Sequence, residues 1–322
     1  MEIYSRISGT GSYLPEKVLT NDDIAKKVDT SDEWITERVG IKRRHIIGDH
    51  ETTSSMAYEA ATAALQACGC HPHDIELIIV ATCTPDRMFP STACLLQARL
   101  GIKNNITAFD VSAACAGFMY ALSVADKFIR TGTVKNALIV GSEALTRVVD
   151  WTDRRTCVLF GDGAGAVVLQ AAEAPGVHCV KAYAQGDAQD ILYLPNEKAA
   201  PSLTTGDPNI VMLGREVFKF AVNAMEQAAD SILAECKMNK SDIDWLVPHQ
   251  ANLRIIKSLA KKLDISLDKV VLTIEDQGNT SAASIPLALD AGIKRGQIQR
   301  GQTLLLEAIG GGMAWGSAII TY

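Results

Sequence analysis

The chain repeats one order of elements twice, and this duplication constrains its fold more than any other feature. The first window, from Met56, reads MAYEAATAALQACGCHPHDIELIIVATCTP and predicts an amphipathic helix, a turn and an apolar strand. The second, from Phe220, reads FAVNAMEQAADSILAECKMNKSDIDWLVPHQAN and has the same order. Downstream, CAGFMYALSVADKFIRTGTVKNALIVGSEA from Cys115 is matched by SAASIPLALDAGIKRGQIQRGQTLLLEAIG from Ser281. The sequence therefore predicts a duplicated α/β unit.

The predicted strands are continuous apolar runs such as LIIVA, ALIVG and TLLLEA. Runs of this kind are typical of strands that helices cover on both faces. We therefore expect two halves, residues 1–172 and 173–322, that pack as a layered, pseudo-twofold structure with a site between them. The segment 184–216 is rich in Pro, Gly, Asn and Asp, and we expect an insertion there that caps the site.

Composition narrows the classes of function. The 322 residues are 48% hydrophobic, and 31 basic against 37 acidic residues give a net charge of −6, which argues against general nucleic-acid binding. No apolar run is long enough to span a membrane, and the first residues lack the basic-then-apolar order of a signal peptide. We expect a cytoplasmic protein without membrane attachment.

The eight cysteines are expected to be mostly reduced thiols, since nothing indicates secretion. Cys68 and Cys70 form a C-x-C pair beside His71 and His73, which raises the possibility of a metal site. No second ligand pair stands at zinc-finger spacing, so we predict a helix end and a turn there, and no structural metal.

Cys115 differs from the other cysteines in its surroundings. In DVSAACAGF it is flanked by alanine and glycine, which leave room for a molecule to approach its sulfur. It follows a short predicted strand and begins a long predicted helix, whose positive end favours the thiolate. The alternative is a packed small hydrophobe, the commoner role of a cysteine. The pattern indicates a candidate nucleophile.

Two polar residues lie at related junctions of the second half. His249, in VPHQAN, follows the strand that matches the one ending near Cys83, and Pro248 stops that strand. Asn279, in DQGNTSAAS, precedes the helix that matches the helix of Cys115. Because the junctions are equivalent, we expect Cys115, His249 and Asn279 to converge.

Several motifs together carry a family resemblance: DVSAACAGF, FGDGAGAVVL, VPHQANLRII, GNTSAASIP and GGGMAWGSA. They resemble those of β-ketoacyl-acyl-carrier-protein synthase III, a condensing enzyme of the thiolase fold. The likeness runs nearly end to end and includes SDEWITERVGIKRRH near the start. It implies a thiolase-like αβαβα architecture in which the layers come from the two halves.

The resemblance also implies a reaction that initiates fatty-acid synthesis. Cys115 takes an acyl group from acyl-coenzyme A, with acetyl as the expected primer, and the thioester accepts a carbon nucleophile made by decarboxylating malonyl-acyl-carrier protein. The backbone amides of Cys115 and Gly311 are the implied oxyanion donors. His249 and Asn279 are implied to donate hydrogen bonds to the enolate oxygen. No cofactor is implied besides the coenzyme A thioester.

The remaining roles carry over by motif. Trp34 and Arg154 resemble the pair that stacks on the adenine of coenzyme A. Phe89 matches a residue that closes the acyl pocket of a neighbouring subunit, which implies a homodimer. The other implied coenzyme A contacts are Thr30, Arg38 and Asn252. The implied patch for the acidic carrier protein consists of Lys219, Arg254, Lys257, Lys261 and Lys262.

Alternatives stay open. Plant-type polyketide synthases share the Cys-His-Asn trio, and a polyketide or quinolone-type starter synthase would differ in acyl preference. A non-catalytic module that binds acyl carrier protein and an acyltransferase that stops at the Cys115 thioester are further alternatives. Hydroxymethylglutaryl-coenzyme A synthases need an acidic base near the strand end at 81–84, where ATCT offers none. Met313 and Ala314 stand where Phe and Thr are usual, which leaves the length of the primer open.

Overall fold

The computed structural model describes residues 2–196 and 208–322. Met1 and residues 197–207, part of the predicted insertion at 184–216, lie outside the described residues. The strands are β1 (Tyr4–Tyr13), β2 (Val18–Thr20), β3 (Arg43–His45), β4 (Leu77–Ala81), β5 (Thr107–Val111), β6 (Asn136–Glu143), β7 (Gly163–Ala172), β8 (Val177–Ala184), β9 (Leu192–Tyr193), β10 (Val211–Met212), β11 (Trp245–Pro248), β12 (Thr303–Gly310) and β13 (Ala314–Thr321). The α-helices are α1 (Asn21–Ala25), α2 (Asp32–Val39), α3 (Thr53–Cys68), α4 (Thr92–Arg99), α5 (Gly117–Arg130), α6 (Gly214–Cys236), α7 (Leu253–Lys262), α8 (Ile274–Gln277) and α9 (Ser284–Lys294).

Two main sheets share one topology. The first has the strand order β1-β7-β6-β4-β5, and β4 runs parallel to both β5 and β6 while β7 is antiparallel to β6 and β1. The second has the order β11-β12-β13-β8, in which β11 and β12 are parallel and the other pairs antiparallel. A single parallel bridge between Leu246 and Val270 stands where β4 pairs with β5 in the first sheet. Short pairs β2–β3 and β9–β10 lie outside the main sheets.

The buried side chains form three layers of core separated by the two sheets. Strand β12 shows the alternation: Leu304 and Leu306 join the central cluster with α5 and α9, whereas Leu305 and Ile309 join the outer cluster under α6 and α7. Helix α3 covers the outer face of the first sheet. Because each strand buries both faces, its sequence is continuously apolar. The order of layers is αβαβα.

Local signals begin and end the helices. Helix α3 begins after Thr52, whose hydroxyl accepts a hydrogen bond from the Ser55 amide, and ends at Gly69, which adopts a left-handed φ of 65°. Cys68 and Cys70 flank this glycine at the helix end. Within residues 2–196 and 208–322, no helix combines the length and apolarity needed to cross a bilayer.

Strand ends of each half contact a turn of the other half. A Cβ placed on Gly141 of β6 would lie 2.2 Å from the carbonyl oxygen of Ala282, and one on Gly310 of β12 would lie 2.4 Å from the backbone nitrogen of Cys115. Only glycine permits so close an approach of two backbones. The turns before α5 and α9 therefore meet at the centre of the molecule.

Candidate active site

Cys115 lies in a 3₁₀ turn, Ala114–Ala116, directly before α5. Helix α5 thus begins at Gly117, two residues later than predicted. The second half has an equivalent turn, Ser281–Ala283, directly before α9. Ala114 and Ser281 occupy the same position in the two turns and both have a left-handed φ, 45° and 50°. The duplication thus extends to the backbone conformation of the site.

His249 is the first residue after β11, and its backbone amide donates to the Glu307 carbonyl at 2.7 Å. The imidazole is buried, and burial lowers its pKa to about 3. It is therefore neutral at physiological pH. Its Nδ1 atom has no hydrogen-bond partner in the described part of the chain. The ring is available to hydrogen-bond a bound molecule.

Asn279 is held by hydrogen bonds on three sides. Its backbone amide donates to the Leu159 carbonyl at 2.9 Å, and its carbonyl accepts from the Gly161 amide at 3.0 Å. Its side-chain Oδ1 accepts from the Ser281 amide at 2.9 Å. Because the oxygen is engaged, the NH₂ of the carboxamide is the group left for a bound molecule.

One cavity of about 1520 Å³ is lined by Cys115, His249 and Asn279. The structure therefore brings the three predicted side chains to a common space, as the equivalence of their junctions predicts. The glycine-rich segment Gly310–Gly312 and the buried Met313 form another part of its wall. Met313 thus faces the cavity, and Ala314, the first residue of β13, is buried beside it.

Burial raises the pKa of the Cys115 thiol to about 12, although a hydrogen bond with the Ser281 hydroxyl opposes this effect. The thiol faces the cavity but lies deep inside the protein, where a negative charge loses its hydration. This desolvation opposes the predicted stabilisation of the thiolate by the helix start.

Glu143 is a buried acidic residue that the sequence reasoning missed. Its carboxylate accepts from the amide of Cys83 at 3.1 Å and from the hydroxyls of Thr84 at 2.7 Å and Ser281 at 3.1 Å. Burial raises its pKa to about 7, against the effect of these donors, of which Thr84 is the strongest. The segment ATCT itself contains no acidic residue, but the carboxylate of Glu143 in β6 reaches the end of β4. The available signal was a glutamate that ends an apolar run.

Gln250, next to His249, was also missed. Its Nε2 donates to the carbonyls of Pro248 at 2.8 Å and Val271 at 3.0 Å, and its Oε1 accepts from the amides of Thr273 at 2.9 Å and Ile274 at 3.1 Å. At the end of β11, this buried side chain makes the hydrogen bonds to neighbouring backbone groups that a paired strand would otherwise make. It fixes the segment that carries His249.

Gly311, implied as an oxyanion donor, and the neighbouring Gly310 differ in position. Gly310 is the residue whose backbone lies against the Cys115 amide, whereas a Cβ on Gly311 would lie 2.7 Å from the Leu192 carbonyl. Both line the cavity with Cys115. The crowding at both positions explains why side chains are absent there.

An aromatic and two guanidinium groups lie at the cavity mouth. The guanidinium carbons of Arg38 and Arg154 lie 4.9 and 5.1 Å from the centre of the Trp34 ring. Arg154 is held by its Nη1, which donates to the Asp29 carbonyl at 2.7 Å. Thr30 does not line the cavity, and its buried Oγ1 has no partner in the described residues.

Helix α7 presents a basic surface beside this mouth. Asn252 caps the helix, its Oδ1 accepting from the Arg254 amide at 2.8 Å. The five basic residues implied to bind the carrier protein are all exposed. Arg254 of α7 and Lys219 of the neighbouring α6 also line the cavity mouth. Lys262 differs because it forms an ion pair with Glu226 of α6. The exposed members are Lys219, Arg254, Lys257, Lys261 and Lys262.

Phe89 does not line the cavity of its own chain. Its side chain is 85% exposed, and the neighbouring Met88 is 77% exposed. At the C-x-C pair, as elsewhere in the described ranges, no group of three His, Cys, Asp or Glu side chains is placed to hold a metal ion.

The layered pair of duplicated halves defines a thiolase-like enzyme fold. Two family models match the chain: "3-Oxoacyl-[acyl-carrier-protein (ACP)] synthase III" over residues 109–188 and its C-terminal counterpart over residues 233–322. The chain belongs to the 3-oxoacyl-acyl-carrier-protein synthase III family. The predicted family, fold and acyltransferase class are confirmed.

Relatives and solved structures agree on this assignment. β-Ketoacyl-acyl-carrier-protein synthase III of Methylococcus capsulatus is 56% identical over 322 residues, 100% of both chains, and that of Neisseria meningitidis serogroup A is 58% identical over 99% of both. The crystal structure of the Aquifex aeolicus synthase III has a TM-score of 0.93 at 48% identity, covering 99% of this chain and 100% of that one. The priming β-ketosynthase of the R1128 polyketide pathway has a TM-score of 0.95 at 35% identity, covering 99% and 96%.

Proposed function

We propose that the chain condenses an acyl-coenzyme A primer, with acetyl as the expected acyl group, with malonyl-acyl-carrier protein. The products are β-ketoacyl-acyl-carrier protein, carbon dioxide and coenzyme A, and the reaction starts fatty-acid synthesis. The observation that carries the proposal is the single cavity lined by Cys115, His249 and Asn279 in a chain of this family.

The first step is acylation of Cys115. Its sulfur attacks the thioester carbonyl with loss of the thiol proton, and the carbonyl oxygen gains negative charge. The bond to the coenzyme A sulfur then breaks, and coenzyme A leaves as a thiol that has gained one proton. The backbone amides of Cys115 and Gly311 are the proposed donors to this oxygen. The close packing of Gly310 on the Cys115 backbone supports the role, since it fixes the turn before the reaction begins.

The second step is condensation. Loss of carbon dioxide from the malonyl group leaves a thioester enolate, whose oxygen accepts hydrogen bonds from His249 and the Asn279 carboxamide. A neutral imidazole suits this role, because it donates a hydrogen bond without giving up a full proton. The enolate carbon then attacks the Cys115 thioester, and the sulfur leaves. Each donor contributes about 3 kcal/mol to stabilising the developing charge.

Coenzyme A is proposed to enter at the mouth formed by Trp34 and Arg154, where adenine would stack. Arg38 lies on the same indole ring, so it is placed to hold the nucleotide end. Asn252 lines the path toward Cys115 and is assigned to the pantetheine arm. Thr30 lies outside the lining, so its assignment to coenzyme A rests on the family resemblance alone.

The acidic carrier protein is proposed to dock on the basic surface of α7. Arg254, Lys257 and Lys261 recur at helical spacing on its exposed side, next to the cavity mouth. The exposed Phe89 supports a homodimer in which it closes the partner's acyl pocket. We also propose that residues 1–172 and 173–322 are the two thiolase-like halves. The proposed location of the protein is the cytoplasm.

A starter synthase with a different acyl preference is the second candidate. The likeness to the R1128 priming β-ketosynthase favours it, as does Met313, which lines the cavity where the family usually has Phe. Exposure of the protein to a mixture of acyl-coenzyme A donors, followed by mass spectrometry of the Cys115 adduct, identifies the preferred acyl group. A dominant acetyl adduct supports fatty-acid initiation, and a longer or branched adduct supports the second candidate.

The condensation step is tested with Asn279→Ala. We expect about a 100-fold loss of carbon dioxide release and of β-ketoacyl product, because the enolate loses one donor. Acylation of Cys115 by acetyl-coenzyme A should stay within about threefold of wild type. Asn239→Ala, in an exposed turn far along the chain, is the matched control. Equal losses in acylation and condensation would contradict the enolate role.

A further inference from the structure

The segment KRRH, residues 42–45, belongs to the stretch that carries the family resemblance, yet the site described above makes no use of it. Its third residue, Arg44, lies in β3 and is fully buried. A guanidinium stays charged in proteins, and a buried charge loses solvation energy that only well-placed partners offset. The partners of Arg44 therefore indicate what this buried group holds in place.

The guanidinium of Arg44 joins two separate segments of the chain. Its Nη1 atom donates to the Leu19 carbonyl at 3.2 Å and to Oδ1 of Asn21 at 2.9 Å, and its Nη2 atom donates to the Val158 carbonyl at 2.9 Å. These acceptors are neutral, and none of the ion pairs within the described residues includes Arg44. Because no acidic side chain accounts for this arginine, its contribution is to hold the two segments together.

The segment 158–162, which Arg44 holds at its first residue, carries both backbone bonds of Asn279. The Leu159 carbonyl accepts from the Asn279 amide at 2.9 Å, and the Gly161 amide donates to the Asn279 carbonyl at 3.0 Å. These two bonds make a parallel β-bridge. A displacement of the segment therefore moves the backbone from which the Asn279 carboxamide projects into the cavity.

Arg44 also packs directly against both sides of this bridge. A Cβ on Gly161 would lie 3.0 Å from the Cβ of Arg44, and one on Gly278, the residue before Asn279, would lie 3.2 Å from it. The side chain of Arg44 thus bonds one side of the bridge and touches the backbone of both. Contacts this close leave the bridge little freedom to shift while Arg44 stays in place.

We propose that Arg44 is a positioning residue for condensation, because it fixes the segment 158–162 and, through it, the place of the Asn279 carboxamide. The inference rests on the proposed role of Asn279 as a donor to the enolate oxygen. Arg44 is buried and does not line the cavity, so it reaches no bound substrate itself. Cys115 lies in a different segment, the turn before α5. Acylation of Cys115 should therefore depend on Arg44 far less than condensation does.

The test measures the two steps separately. Acylation is followed by peptide mass spectrometry of Cys115 after mixing with acetyl-coenzyme A, and condensation by carbon dioxide release when protein already acetylated is mixed with malonyl-acyl-carrier protein. Arg44→Met, which keeps the bulk but not the donors, should lower the rate of condensation about 30-fold and leave that of acylation within about threefold of wild type. If this variant does not fold, Arg44→Lys, which keeps the charge but not the planar fork, should show the same selectivity with about a tenfold loss.

Arg130→Met is the matched control. The Nη2 atom of Arg130 also donates to backbone carbonyls, those of Val177 at 2.9 Å and His178 at 3.2 Å. Arg130 is the last residue of α5, which begins just after Cys115, so it lies about 20 Å along the helix from the site. It should leave the ratio of the two rates unchanged. A lowered ratio in this control would mean that loss of any buried arginine is enough, and would overturn the inference.

A double-mutant cycle tests whether Arg44 acts through Asn279. Added to Asn279→Ala, the Arg44 substitution should lower condensation by less than about threefold further, because the carboxamide that it positions is already gone. A full further loss would overturn the inference, as would equal losses of acylation and condensation, or no loss of either, in the single Arg44 variant. If Asn279→Ala itself leaves condensation unchanged, the proposed role of Asn279 fails, and the inference with it.

Discussion

The ends of β6 and β12 occupy the same place in the two halves, yet one carries Glu143 and the other Gly310. Both strands have eight residues and end against the turn of the opposite half. Gly310 lets the backbone of β12 reach the Cys115 amide, whereas Glu143 sends a carboxylate to Ser281. The duplication supplies the scaffold, and differences at equivalent positions supply the chemistry.

The two turns differ in the same way. Cys115 follows the left-handed Ala114 in the first half, while Ala282 follows the left-handed Ser281 in the second. Asn279 lies two residues before that left-handed position. The same turn thus carries a thiol one residue after its left-handed position in the first half and a carboxamide two residues before it in the second, and both side chains line one cavity.

A substitution at the end of β12 gives the largest expected effect, a loss of Cys115 acylation. Gly310→Ala places a Cβ 2.4 Å from the Cys115 nitrogen, so the turn must move. We expect at least a 100-fold loss of Cys115 acylation, since a displacement of about 1 Å costs that much, and about 2 kcal/mol of stability. Acetyl transfer kinetics and urea unfolding measure both effects. Gly186→Ala, at a glycine with open space around it, controls for a change of glycine alone.

Thr82 and Gln250 lie at equivalent positions after β4 and β11, and their substitutions should differ in their effect on the free energy of unfolding. Gln250→Leu leaves the amides of Thr273 and Ile274 without an acceptor, and we expect it to cost about 3 kcal/mol of the free energy of unfolding. Thr82→Val, at the equivalent position of the first half, removes the bond to Glu143 and the bond that the hydroxyl accepts from the Thr84 amide, and should cost about 1.5 kcal/mol. Urea denaturation of the two variants compares them. Equal losses would contradict the special role of Gln250.

His249 has alanine as its counterpart, Ala81, so His249→Ala tests burial of the ring. The folded protein takes up a proton on His249 only near pH 3, whereas the unfolded chain takes it up near pH 6.5. The unfolded state is therefore favoured as pH falls from about 6.5 toward 3, and one proton contributes about 1.4 kcal/mol per pH unit. The variant should show a slope of stability against pH that is smaller by this amount between pH 6 and 4. An unchanged slope would mean that the ring is not held neutral.

Charge reversal on α7 gives the smallest expected effect. Arg254→Glu with Lys261→Glu should raise KM for malonyl-acyl-carrier protein by about tenfold and KM for acyl-coenzyme A much less, because the carrier protein is acidic. Steady-state kinetics with each substrate varied separately measure this difference. Lys103→Glu, exposed on the first half, is the control. Equal increases in KM for both substrates would contradict docking of the carrier protein on α7.

The sequence predicts the α/β fold and the convergence of the three cavity residues, because both depend on motifs within the repeat. Glu143 was missed because its partners come from β4 and from the turn before α9, and no local pattern reports such contacts. The desolvation that raises the pKa of Cys115 was missed for a related reason. A helix start is visible in a sequence, but the depth of a cavity depends on packing across both sheets.

The central claim is that one sulfur, at the meeting point of two duplicated halves, holds the acyl group. The most direct test is to incubate the protein with acetyl-coenzyme A, quench it in acid and map the acetyl group by peptide mass spectrometry. We predict a single acetyl group on Cys115, absent from Cys115→Ser mapped under the same conditions. Acetyl on Cys83, which lines the same cavity, or on no cysteine would contradict the account.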